Sequence, residues 1–206
     1  SMFYQATNFN NGLASGVSGI MSWVTTKVSN MSYMFQLASK FNQNIGSWNT
    51  SNVTNMSSMF YSATNFNNGL ANGVSGIMSW VTTKVSNMSN MFYQATNFNQ
   101  DIGSWNTANV TNMSYMFQSA TKFDQNIGSW DISNVVVGFT SFMLGKSPST
   151  FSAANLDAIY NGWSTRPVKP GVSISFGTAK YTSASSVGRA ILTSAPNNWV
   201  IADGGI

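Results

Sequence analysis

The chain has 206 residues, enough for one domain or one elongated array, and at 43% hydrophobic it can bury a core, which excludes general disorder. Only 7% of the residues are charged, against roughly 25% in ordinary soluble proteins, so Asn, Ser, Thr and Gln must wet the surface. The net charge of +4 comes from nine basic and five acidic residues without any basic run, which argues against a nucleic-acid partner, and no apolar run is long enough to insert into a membrane.

From the first residues onward the chain repeats. A Met-Phe pair recurs at Met2-Phe3, Met34-Phe35, Met59-Phe60, Met91-Phe92 and Met116-Phe117, at alternating spacings of 32 and 25 residues. Such a period marks a stacked repeat architecture, here with a 57-residue pair as its higher unit. Ser1 runs directly into the middle of a repeat, so the chain reads as a fragment of a longer protein. Its uncapped N-terminal face at Met2-Phe3 predicts weak end-to-end self-association.

Within a repeat, Ala63 lies four residues and Phe66 seven residues after Met59, then come one Trp (Trp80) and a Val (Val85). Met56, Met59, Phe60 and Ala63 follow the i, i+3, i+4, i+7 spacing of a helical face, with Asn52 or Thr54 as N-cap. The stretch Phe41–Asn49 carries Phe41, Ile45 and Trp48 around Gly46 and reads as a short strand or extended turn. The expected fold is therefore an α/β solenoid, a leucine-rich-repeat-like stack of short strand plus short helix units with a C-terminal α/β capping unit. The Phe, Trp, Met, Val and Ala ladders are expected inside as core. The expected divisions are 1–143, a solenoid of five repeats, and 144–206, the cap. In the second part a helix is predicted over Ser152–Trp163, a strand over Val172–Phe176, a helix over Ser183–Ala195 and a short strand at Trp199–Ile201.

The segments Phe98-Asn-Gln-Asp-Ile-Gly-Ser-Trp105, Asn109-Val-Thr-Asn-Met113 and Met116-Phe117 resemble the BspA-like leucine-rich-repeat bacterial surface proteins. The likeness covers residues 2–143, and Ala195-Pro-Asn-Asn-Trp199 with Asp203-Gly-Gly205 resembles the usual ending of that group. The resemblance implies a bacterial cell-surface or secreted protein, some of whose relatives adhere to host proteins, other cells or surfaces. The seven-residue insertions of the long repeats depart from the family phrase.

Catalysis has little to work with. The chain contains no His, Cys or Glu, and its Asp residues are scattered (Asp101, Asp124, Asp131, Asp157, Asp203). A Ser-His-Asp device is impossible, zinc lacks its usual ligands, and no dense acidic loop supports calcium. No enzyme, metal or cofactor is expected. The absence of Cys is compatible with export but does not fix the compartment.

Polar columns remain. Four columns occupy equivalent places in successive short repeats: Asn42, Asn99 and Asp124; Asn44, Asp101 and Asn126; Ser47, Ser104 and Ser129; and Asn49, Asn106 and Asp131. They either satisfy turn amides or form a hydrogen-bonding face. The insertions at Gly12–Gly19 and Gly69–Gly76 add Leu13, Ser15 and Val17, and Leu70, Asn72 and Val74, as loops beside that face. The expected function is non-catalytic binding of an extracellular glycan or polypeptide. The alternatives are a structural spacer within a longer surface protein, and an ice- or mineral-binding surface built on Thr25-Thr26 and Thr82-Thr83.

Overall fold

The computed structural model describes residues 5–10, 19, 21–71, 73–136 and 138–206. It corrects the expected fold. Among these residues the α-helices are α1 (Ala153–Trp163) and α2 (Ser186–Thr193), the latter entered through a 3₁₀ turn at Ser183–Ser185. The strands are β1 (Gly76–Ile77), β2 (Gln100–Asp101), β3 (Ser173–Ser175) and β4 (Val200–Ala202), in two two-stranded parallel sheets, β1–β2 and β3–β4. A strand-plus-helix unit in every repeat, the leucine-rich-repeat plan, is therefore not what this chain builds.

The predicted helix over Asn52–Ala63 is a run of β-turns. Met59 N–H donates to Met56 C=O, Tyr61 to Ser58 and Ala63 to Phe60, each closing a turn. The N–H groups between them leave the repeat: Met56, Ser58, Phe60 and Ser62 donate to Asn87, Ser89, Met91 and Tyr93 of the next layer. The alternate carbonyls, Asn55, Ser57, Met59 and Tyr61, accept from the layer before. From Met56 to Ala63 every backbone N–H is thus paired, with Ser57 N–H donating to Asn55 Oδ1, as burial demands. The cost sits at Ser58 and Ser62, whose φ of 54° places non-glycine residues in the left-handed region. The same places in other repeats, Tyr33 and Leu37, Asn90 and Gln94, Tyr115 and Ser119, also have positive φ. A helix would have avoided that cost, but Asn, Ser and Thr are weak helix formers, and a helix would give up the four bonds between layers. Thr54, expected as a cap, donates instead to Ser29 C=O, and Asn52 Nδ2 to Thr26 C=O.

The apolar side chains still fall on one side. Met56, Met59, Phe60, Ala63 and Phe66 are all fully buried. Equivalent Phe rings of successive layers stack nearly parallel, with centroids 5.6 to 5.9 Å apart. The indoles of Trp48, Trp80, Trp105 and Trp130 are tied back to the preceding layer, for example Trp80 Nε1 to Ile45 C=O (3.1 Å) and Trp105 Nε1 to Met78 C=O (2.7 Å). Inside, Thr25, Thr50, Thr82 and Thr107 send their hydroxyls to carbonyls of the next layer at 2.8 to 3.0 Å.

The stacking register runs past residue 143. Trp163 Nε1 donates to Ile127 C=O, continuing the indole series, and Phe117 N–H donates to Phe142 C=O. In this register Phe142 stands in the Met place, Met143 in the Phe place, and Lys146 in the Ala place. α1 then replaces the extended segment of the earlier repeats. Ser152 caps it by accepting from Asn155 N–H, and Leu156, Ile159, Tyr160 and Trp163 form its buried stripe. α2 packs on α1, and Phe139 bridges to Ile174 of β3.

Candidate functional site

Between Phe and Trp the described crossings that end at Trp48, Trp80 and Trp105 lie side by side on one face of the stack, joined at Gly76–Ile77 and Gln100–Asp101 by parallel pairing. Along Ile77–Thr82 exposure alternates: Ile77, Ser79 and Val81 face solvent, while Met78, Trp80 and Thr82 are buried. Asn44, Ser47 and Asn49 occupy the equivalent outward places one layer earlier, and Asp101, Ser104 and Asn106 one layer later. Six of the sequence-selected residues are thereby brought onto one face. Of their side-chain oxygens, Oδ1 of Asn44, Asn49, Asp101 and Asn106 each accept the N–H two residues on, at 2.8 to 3.0 Å, shaping the turns.

Asn42 and Asn99 do not belong to that face. They are members of an inner ladder that also includes Asn10 and Asn67. Asn42 N–H donates to Asn10 Oδ1, Asn67 N–H to Asn42 Oδ1, Asn99 N–H to Asn67 Oδ1 and Asp124 N–H to Asn99 Oδ1, all at 2.8 to 2.9 Å. The ladder ends on α1, where Asp124 Oδ1 accepts from Ser152 N–H, Ser152 Oγ and Asn155 Nδ2. Their role is structural because each buried amide must find partners.

Of the insertion residues, Leu13, Ser15, Val17 and Asn72 lie outside the described residues, as do Met2 and Phe3, on which the self-association expectation rests. Leu70 and Val74 are exposed, yet their carbonyls are held by Asn42 Nδ2 (2.9 Å) and Asn67 Nδ2 (2.9 Å). The insertion is thus pinned against the layer and borders the face at Asn44, where a Cβ on Gly69 would come within 2.9 Å of Asn44 Cβ.

Three hollows lie along this face. One of about 310 Å³ is lined by Asn44, Gly46, Ser47, Asn68, Ile77 and Ser79. Two of about 490 and 470 Å³ share Gly103, Ser104, Ser129 and Arg166, the first reaching Asp101, Asn126 and α1, the second Asn106 and Asp131. Arg166 closes this end, with Nη1 donating to Gly128 C=O (3.2 Å) and Gly162 C=O (2.8 Å). Hydrogen bonds from the Ser133 side chain and N–H hold the Asp131 carboxyl below the ordinary carboxylate range, and Arg166 adds to the effect.

Sequence reasoning missed Ile77, Val81 and Arg166 as members of the face, whereas Asn126, Ser129 and Asp131 stood in its columns. Ile77 and Val81 could have been reached by carrying the Trp register through the long repeats. Arg166 gives no such signal, since only α1 brings it there. The Thr hydroxyls weighed for an ice-binding surface point inward at Thr25 and Thr82, which are 4% and 1% exposed.

A tandem array of turn-built layers, presenting one extended and hollowed polar face, is the class of protein these observations define. The chain belongs to the family described as Mycoplasma protein of unknown function, DUF285, which matches residues 1–75 and 70–182. No curated protein and no solved structure matches the chain. Among the described residues no helix is long and apolar enough to cross a membrane.

Proposed function

We propose that the chain is a non-catalytic binding module that recognises a glycan or a polypeptide through the face running from Asn44 and Ile77 to Asp131 and Arg166. The observation that carries this reading is that three hollows of about 310 to 490 Å³ lie along one row of outward side chains. Hollows of that size with a few convergent polar groups suit small polar ligands or the units of a polymer. Scarce charge favours hydrogen-bonded over electrostatic recognition. The resemblance to BspA-like surface proteins supports an adhesive role at a bacterial surface or outside the cell, as part of a longer protein.

Glycan and peptide arrays test the proposal, using the protein and a Ser47→Arg/Ser104→Arg variant whose new side chains fill the face without touching the inner ladder. Binding that the variant loses, with an unchanged thermal transition, is the expected result. Arrays that stay blank for both proteins overturn it.

A spacer reading has one observation of its own: the buried Asn and Thr side chains are spent on joining layers. Under that reading neither array yields a ligand.

A further inference from the structure

Resting on the binding reading above, we infer that the ligand is a linear, neutral β-1,4-linked polysaccharide lying along the stacking direction and read two layers at a time. The face has a period of two. In the place after each Trp, Val24 and Val81 of the long repeats alternate with Asn49 and Asn106 of the short ones, and all four are exposed. Val24 is 87% and Val81 47% exposed, and Ile77 on the same rung is 70% exposed. These three β-branched aliphatic side chains share one face with the outward Asn and Ser side chains of the short repeats, and a ligand that covers them removes apolar surface from water.

Relief alternates with chemistry. Short repeats cross the face as Asn44-Ile45-Gly46-Ser47-Trp48, whereas the long repeat uses Ile77-Met78-Ser79-Trp80, one residue shorter and without the glycine. Met78 takes the buried place of Ile45, as the indole bonds of Trp105 and Trp80 to these two carbonyls show. Exposed apolar rungs therefore alternate with polar rungs whose Gly46 and Gly103 line hollows.

Hydrogen-bonded backbones lie just under 5 Å apart, so two layers advance about 10 Å. That is close to the length of the disaccharide unit in an extended β-1,4-linked chain, whose successive rings are flipped. Alternate rings would meet an aliphatic rung along their C–H face and a polar rung along their hydroxyls. Among the described residues Asp101 is the one charged side chain on the face from Val24 to Asn106, which suits a neutral sugar. The alternation stops at Asp131 and Arg166, where a second polar rung and α1 end the track.

Calorimetric titration with cello-oligosaccharides and with N-acetylglucosamine oligomers of two, four and six units tests the inference, with malto-oligosaccharides as the α-linked control. In at least one β-linked series Kd is expected to fall by tenfold or more from two units to four, and Ile77→Asn/Val81→Asn is expected to reverse that gain while folding normally. The series that responds tells whether the rings carry acetamido groups. Length-independent or absent binding in both β-linked series, or an unaffected double variant, overturns the inference. If the arrays give another ligand that Ser47→Arg/Ser104→Arg abolishes, the polysaccharide inference falls and the binding reading stands; if they stay blank as well, both fall.

Discussion

In the repeats, alternate backbone N–H groups cross to the neighbouring layer, whereas in α1 and α2 they close within the helix. Both regions bury the same kinds of side chain, Phe and Trp against Met or Ile. They differ in what holds the backbone. A repeat is stabilised by its neighbours at the cost of left-handed residues such as Ser119, while α1 carries its own cap at Ser152. The lesson is that apolar spacing selects which side chains go inside, and the supply of backbone partners selects how the chain gets there. Where layers exist on both sides, turns that export N–H groups are rewarded. At the last layers, β3 and β4 take over this role and helices become competitive.

Cutting the inner ladder breaks the comparison most severely. Asn67 Oδ1 accepts from Asn99 N–H and Gln100 Nε2, and its Nδ2 donates to Ala71 and Val74 C=O. Replacing Asn67 by Ala is expected to cost about 3–5 kcal/mol, because several buried groups lose their partner together. Denaturant titration reads this directly; a loss below about 1 kcal/mol contradicts the ladder's role.

The junction between the two regions carries a pH dependence. Lys146 stands where the repeats have Ala, is 3% exposed, and donates to Ala120 and Phe123 C=O at 2.5 Å. Burial lowers its ammonium pKa to about 7, with Asp124 opposing the shift. The unfolded chain keeps the higher, ordinary lysine value, so between about pH 7 and 10 it binds more protons than the folded one. Stability is therefore expected to rise with pH through that window, by on the order of 3–4 kcal/mol, and this dependence is expected to vanish below it. Urea midpoints at pH 7 and 9.5 measure the slope, and Lys146→Met should flatten it.

A smaller effect concerns how α1 sits on the stack. A Cβ on Gly162 would lie 2.1 Å from Gly128 C=O, so Gly162→Ala must push α1 off the fifth repeat. A loss of about 1–3 kcal/mol is expected, together with increased exposure of Trp163 to fluorescence quenchers. Unchanged quenching would mean that the helix is not seated by this contact.

The finest test reverses sign between the regions. Ser119→Gly relieves a left-handed residue and is expected to stabilise by about 0.5–1 kcal/mol, whereas Ala158→Gly inside α1 is expected to destabilise by about 1 kcal/mol. Thermal melts of the two variants should move in opposite directions. Equal shifts would remove the distinction between turn-built and helical layers.

The core was legible in the sequence, and so was the face in part. The Met, Ala, Phe and Trp series named the buried residues because period alone places them on one side of any regularly turning chain. Asn44, Ser47, Asn49, Asp101, Ser104 and Asn106 were legible as columns for the same reason. Asn42 and Asn99 were misplaced, since an Asn in a column looks alike whether it faces water or a neighbouring amide. Thr25 and Thr82 were ambiguous in the same way.

By itself the sequence determined the layered repeat, its two-layer period and its inner apolar ladders, because duplication and spacing are properties of the chain. It also determined the poverty of acid–base chemistry. Only the tertiary structure decided that each repeat is a run of turns and that half its N–H groups serve the next layer. Only there do Ile77 and Val81 stand between the polar rungs and Arg166 close the track. The physical reason is that the energy difference between a helix and a ladder of turns lies in hydrogen bonds to residues 24 or 31 positions away, which no local pattern contains.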